Sequence, residues 1–256
     1  MHAAERTLRL ISEAQVSGSA TQWRSALRRV LTTHADYEPV KAISLAESTV
    51  PENLAKNFKS FFGLFGDMLD HPIFPFLGAG FYGMARDHHG AADILSQAVA
   101  KFGHRYDLDS GLLYHTCAAK PKKIVAQKAL DEFLTRYSEL PVAYHTGSYV
   151  AQRFVSPERA AQITDSLLSY FPNSNVAHSA RRDQAYFQGN LAMAVGFARV
   201  VVANDRCSAL GWITLAEMLV EIGNREEAVT AATTALDLAP LRREIIDRYK
   251  TVCSVA

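Results

Sequence analysis

The chain has 256 residues, 48% apolar and 21% charged, a composition that argues against disorder and suits one large domain or a repeat array with a continuous core. With 27 basic against 26 acidic residues the net charge is +1, so no global pull toward nucleic acid or anionic lipid is expected. Cys117, Cys207 and Cys253 form an odd, widely spaced set without a C-x-x-C, which gives no disulfide framework or zinc ribbon and points to a reducing, cytoplasmic setting.

In chain order, the first sixteen residues alternate charged and apolar groups at helical spacing, with Leu8, Ile11 and Val16 near one stripe. They hold no apolar run of signal-peptide length, so no signal peptide is expected. Thr21 is placed to cap a helix carrying Trp23, Leu27, Val30 and Leu31, whose Arg24, Arg28 and Arg29 make a basic, solvated face. Asp36 precedes a second helical stretch, "YEPVKAISLAE". Pro51 then opens a helix with Leu54, Phe58, Phe61, Phe62, Phe65, Met68 and Leu69, because a first-turn proline lacks only an N–H that would be unbonded anyway. Residues 37–70 read as a degenerate repeat without a column to prove it. The most apolar window, 58–86, is broken by Asp67, Asp70, His71, Pro72 and Pro75, so no transmembrane helix is expected.

From there a period emerges. Gly223-Asn224 is preceded 34 residues earlier by Gly189-Asn190, and an alanine follows each glycine by five. Continued backwards, that alanine recurs at Ala228, Ala194, Ala160, Ala126 and Ala92. Three residues on stand Leu95, Ala129, Ile163, Phe197 and Ala231, and seven on Val99, Phe133, Leu167, Val201 and Ala235. Offsets of 0, 3 and 7 fall on one helical face. Nine residues before stand Gly83, Cys117, Ala151, Ala185 and Leu219, all small or apolar, which implies a second helix per unit crossing closely. After Pro240, Leu241, Ile245, Tyr249 and Val252 form one stripe, as a terminal cap over an exposed core face requires.

The last copy resembles the tetratricopeptide repeat: Trp212, Leu215, Ala216, Leu219, Gly223, Ala228, Ala235 and Pro240 match that family's pattern in type and spacing. The third copy keeps Ala160, Leu167 and Pro172. The fourth departs, with Arg181 and Arg182 in place of Leu and a small residue, and Arg206 in place of Pro. About five repeats over 73–242 are covered. The resemblance implies an all-α fold, a right-handed α-solenoid of stacked helix pairs. An N-terminal helical region (1–70), the repeats (71–240) and a C-terminal capping helix and tail (241–256) are the expected domains.

The resemblance also implies a peptide-binding groove along the first helix of each pair. Its columns fall on Phe74, Leu77, Phe81 and Met84, then on Leu108, Leu112 and His115. They continue on His145, Tyr149, Gln152 and Arg153, then on Arg182, Asp183, Tyr186 and Phe187, and finally on Ile213, Glu217 and Glu221. Such a groove is apolar first, His/Tyr/Arg in the middle and acidic last, and suits a peptide with an apolar and a basic part. Of the family's carboxylate clamp only Arg153 has a counterpart. The expected function is therefore a non-catalytic adaptor, assembly or recruitment factor with a protein or peptide partner and no cofactor or metal. Two alternatives stay open: an enzyme or substrate-recognition subunit of a transferase system such as protein glycosylation, and a structural protein that self-assembles through its Phe-rich N-terminal third. No P-loop, GxGxxG, GxSxG or HExxH occurs. Asp87-His88-His89 reads as a solvated turn, and Cys117 as a packed residue.

Overall fold

The computed structural model describes residues 20–33, 36–49, 51–65, 71–120, 122–240 and 242–255. Leu8, Ile11, Val16, Met68, Leu69 and Leu241 lie outside the described residues. Among those described there are fourteen α-helices, one short 3₁₀ turn and no strand. They are α1 (Ala20–Thr33), α2 (Glu38–Glu47), α3 (Leu54–Phe65, entered through a 3₁₀ turn at Pro51–Asn53), α4 (Ile73–Met84), α5 (His88–Phe102), α6 (Tyr106–Ala119) and α7 (Lys123–Arg136). The rest are α8 (Pro141–Phe154), α9 (Pro157–Tyr170), α10 (Asn175–Phe187), α11 (Leu191–Asn204), α12 (Ala209–Glu221), α13 (Arg225–Leu238) and α14 (Arg243–Val255). Thr21 stands inside α1 and does not precede it.

The chain forms two compact units, one within Met1–Leu167 and one within Leu168–Ala256. In the first, α4/α5 and α6/α7 pack as adjacent pairs, α7 packs on α8, and α6 also touches α8. In the second, α10/α11 and α12/α13 are the tightest pairs, and α14 lies against both α12 and α13. This all-α arrangement of successive helix pairs is the α-solenoid class.

Local chemistry explains where the second helix of each pair begins. The side chains of Asp87, Asn190 and Asn224 accept the backbone N–H three residues on, capping α5, α11 and α13. Their own N–H groups donate to Tyr82, Ala185 and Leu219, each at 2.9 Å. The residue before two of these caps is Gly189 or Gly223, at φ 75° and 81°, where glycine carries no side-chain penalty. In the first pair the same place is held by Arg86 at φ 60°.

Counting from the caps corrects the first repeat. Ala126, Ala194 and Ala228 are fully buried four residues after Lys122, Asn190 and Asn224, and Ala160 nearly so after Ser156. Four after Asp87 comes Ala91, fully buried, whereas Ala92 is half-exposed. The first repeat is therefore one residue longer than the sequence phase gives. The buried face then reads Ala91, Leu95 and Ala98 in α5, and Ala126, Leu130 and Phe133 in α7. Each fully buried leucine there contributes roughly 1.5–3 kcal/mol, and the alanines let the backbones approach.

At the C-terminal end, α14 buries Ile245 and Val252 against the cluster containing Ile213, Leu219 and Ala235. Its Arg248 is not on the solvent side. Nε donates to Glu217 Oε1 at 2.7 Å, and the same guanidinium reaches Thr214 Oγ1 at 3.2 Å.

Candidate functional site

In the first unit, α4 and α6 turn the same face toward one cleft. Ala46 of α2, Phe76, Leu77, Ala79, Gly80, Phe81 and Met84 of α4, Leu95 of α5, and Gly111 and His115 of α6 line about 190 Å³. Phe81 and His115, expected on the groove from their columns, meet here. Phe74 does not: it is packed with Val30, Val40, Ile43 and Phe61 in the core and lines no open surface. Phe81 itself is fully buried, so it forms the floor and no exposed contact.

His115 is held from two sides. Its Nδ1 lies 3.0 Å from Nδ1 of His88, so one of the two rings donates and the other accepts. A Cβ at Gly83 would sit 2.8 Å from His115 Cε1, which is why that helix position carries no side chain. Burial, and secondarily the charge of His88, lowers His115 to about 4, so the ring is neutral at physiological pH. His88 therefore leaves the solvated turn expected of Asp87-His88-His89. Asp87 caps α5 while staying exposed, His88 is half-buried against His115, and His89 is exposed.

Beside the cleft runs an aromatic and basic strip. Tyr114, next to His115 in α6, lies edge-on to His88 and His115 and stacks on Tyr149 of α8, with ring centroids 6.0 Å apart and 27° between planes. Tyr149 is 51% exposed. Arg153 donates to its hydroxyl at 3.3 Å and lies over the ring of Phe154 at 5.9 Å. His145 and Gln152, on the same helix, are exposed. Neither His145 nor Arg153 lines the cleft that holds His115.

The position of α6 is fixed by buried carboxylates in its first turn. Asp109, 5% exposed, accepts from Tyr137 Oη at 2.6 Å and from Arg136 Nη1 at 3.2 Å, and its other contact is His104 Nδ1 at 2.9 Å. Burial and the bond to Asp109 push the Tyr137 hydroxyl up. Tyr106 ties α6 to α8 through Thr146 Oγ1 at 2.8 Å, and burial raises it to about 12. Cys117 is fully buried, and burial alone pushes its thiol up to about 11.

The expected positions in the second unit are largely engaged within the chain. Arg182 Nε donates to Asp183 Oδ1 at 2.8 Å, and Arg181 Nη1 to Pro172 O at 3.1 Å. The departure of the fourth copy is thus spent on its own helix and its entry loop. Tyr186 Oη donates to Glu221 Oε1 at 2.7 Å, and Glu217 is held by Arg248. The acidic end expected of the groove is therefore already partnered. Phe187 projects, 86% exposed.

Sequence reasoning passes over Tyr114, His88, Gly80 and Gly111 as site residues. The glycines carried a readable signal. Inside a helix each costs roughly 0.5–1 kcal/mol relative to alanine, so it marks a close approach or a space that must stay open. No group of three or more His, Cys, Asp or Glu residues able to hold a metal ion occurs among the described residues.

The architecture and this surface define the class. In structural comparison the chain is similar to a tetratricopeptide repeat protein from Parabacteroides merdae, with a TM-score of 0.53 at 12% identity over 98% of both chains. It is also similar to yeast Tom70, with a TM-score of 0.55 at 13% identity over 99% of this chain and 64% of that one. No protein-family model and no curated protein sequence matches the chain. The fold is that of the tetratricopeptide repeat proteins, with five helix pairs from α4 to α13. No helix among the described residues is long and apolar enough to cross a membrane.

Proposed function

We propose that the protein is a non-catalytic interaction module, an adaptor or recruitment factor working in the cytoplasm. It holds a peptide segment of a partner protein against the first-helix face of its N-terminal unit. The observation that carries this is the Tyr114–Tyr149–Arg153 strip: aromatic and cationic, with Tyr149 and Arg153 exposed and Tyr114 half-buried beneath them, on helices whose backs are buried. Tyr and Arg are the residue types that dominate binding hot spots. The engaged state of Glu217 and Glu221 supports a peptide whose charge is acidic near Arg153, in place of the basic segment expected from sequence.

Peptide arrays probed with the full chain test this reading. Wild-type protein captures a subset of peptides enriched in Asp or Glu beside an apolar or aromatic residue. Arg153→Glu and Tyr149→Ala, both surface changes, remove at least about tenfold of that affinity. An identical peptide profile for wild type and Arg153→Glu contradicts it.

A further inference from the structure

We infer that the cleft between α2, α4 and α6 is an anchor site for one tyrosine side chain of the bound peptide, with His115 Nε2 as the partner of its phenolic hydroxyl. This rests on the peptide-binding reading above and adds the occupant and its chemistry.

Size comes first. An apolar protein cavity of roughly 150 Å³ admits benzene, and the cleft measures about 190 Å³, enough for a ring with one further atom. The walls come second. Phe76 and the His115 ring offer edges and faces to an aromatic group above the buried Phe81, and Met84 offers a thioether, which contacts ring edges favourably. The polar group comes third. His115 Nδ1 is taken by His88 and Cε1 faces Gly83, while Nε2 has no partner among the described residues. A neutral imidazole fixed through Nδ1 presents one donor or one acceptor at Nε2, and a phenolic hydroxyl complements either. His88 is here a positioning residue.

Gly80 is the fourth observation. In α4, Gly78 makes room for Phe62 and Ile94, and Gly83 for His115, but a Cβ at Gly80 would meet nothing within 4 Å. It lines the cleft and faces open space. Packing does not call for a glycine there, while an unobstructed cleft does. The adjoining Tyr114–Tyr149–Arg153 strip receives the residues next to the anchored tyrosine.

The test is an NMR titration of the full chain with phenol and with toluene. Phenol binds saturably with a Kd of about 1 mM or tighter, and toluene binds at least about threefold more weakly because it cannot use Nε2. Gly80→Leu fills the space, weakens phenol by about tenfold or more, and keeps or raises the melting temperature because it replaces a helical glycine. Peptides captured by the wild type carry tyrosine, and Gly80→Leu loses them. Non-saturable phenol shifts, or equal phenol affinity in wild type and Gly80→Leu, overturn the inference. If Arg153→Glu abolishes peptide capture while Gly80→Leu leaves it intact, the tyrosine anchor falls and the peptide reading survives. If no peptide is captured at all, both fall, even where phenol binds.

Discussion

Arg86 sits where the later repeats have Gly189 and Gly223, at φ 60°. An L-residue pays about 1–2 kcal/mol in that left-handed conformation, and nothing in the turn requires the Arg86 side chain, which is exposed. Arg86→Gly is therefore expected to stabilise the protein by about 1 kcal/mol, read as a raised urea midpoint; an unchanged or lowered midpoint would contradict the turn assignment. Asp109 is the opposite case. Removing it leaves the half-buried Tyr137 hydroxyl and the Arg136 and His104 side chains without their acceptor. Asp109→Ala is expected to cost about 3 kcal/mol, and Asp109→Asn, which keeps an oxygen, distinctly less, by the same denaturation curves. His115 supplies a pH signature. Its folded value, about 4, lies below the ordinary 6.5 because burial disfavours the charged ring. As pH falls the unfolded chain takes up this proton first, so the contribution is complete above about 6.5 and is lost between there and about 4. Stability measured across that window falls toward acid, and His115→Phe removes that part of the slope; an unaltered slope would show that the ring is solvated.

At the level of elements, the alternation of helices from residue 73 to 238 was legible because small or apolar residues must recur wherever two helices cross closely, and Cys117, Ala151, Ala185 and Leu219 do so. The Gly-Asn turns were legible for the reason just given for Arg86. The one-residue extension of the first repeat was not, because Ala91 and Ala92 are adjacent alanines. Only the Asp87 cap, with its bond to Gly90, tells which of them faces the core. The site was read less well. Column position brought out His115, Tyr149 and Arg153, but exposure is a property of neighbours: Phe74 and Phe81 lie in groove columns and are buried beneath α1 to α3. The same limit applied to Arg248, which a helical wheel puts outside and which Glu217 draws in. Arg248→Ala is expected to cost about 1 kcal/mol at most and to leave α14 exchanging its amide hydrogens faster than α12. Exchange in α14 equal to wild type would mean that Ile245 and Val252 alone hold the cap.

For the molecule as a whole, composition and the absence of familiar catalytic motifs left only an architecture, and the architecture alone names no ligand. What supports the proposed function is a difference between the units. In the C-terminal unit Glu217, Glu221, Arg182 and Asp183 are spent on contacts within the chain. In the N-terminal unit Tyr149 and Arg153 are exposed beside a cleft lined by His115. Partner recognition is proposed for the N-terminal unit, and peptide-array binding of the full chain measures it without an intermediate. The expected result is capture that Arg153→Glu abolishes and that charge reversal at the already partnered Asp183 leaves intact. Loss of capture through Asp183→Lys with Arg153→Glu silent, both variants folded, would contradict it.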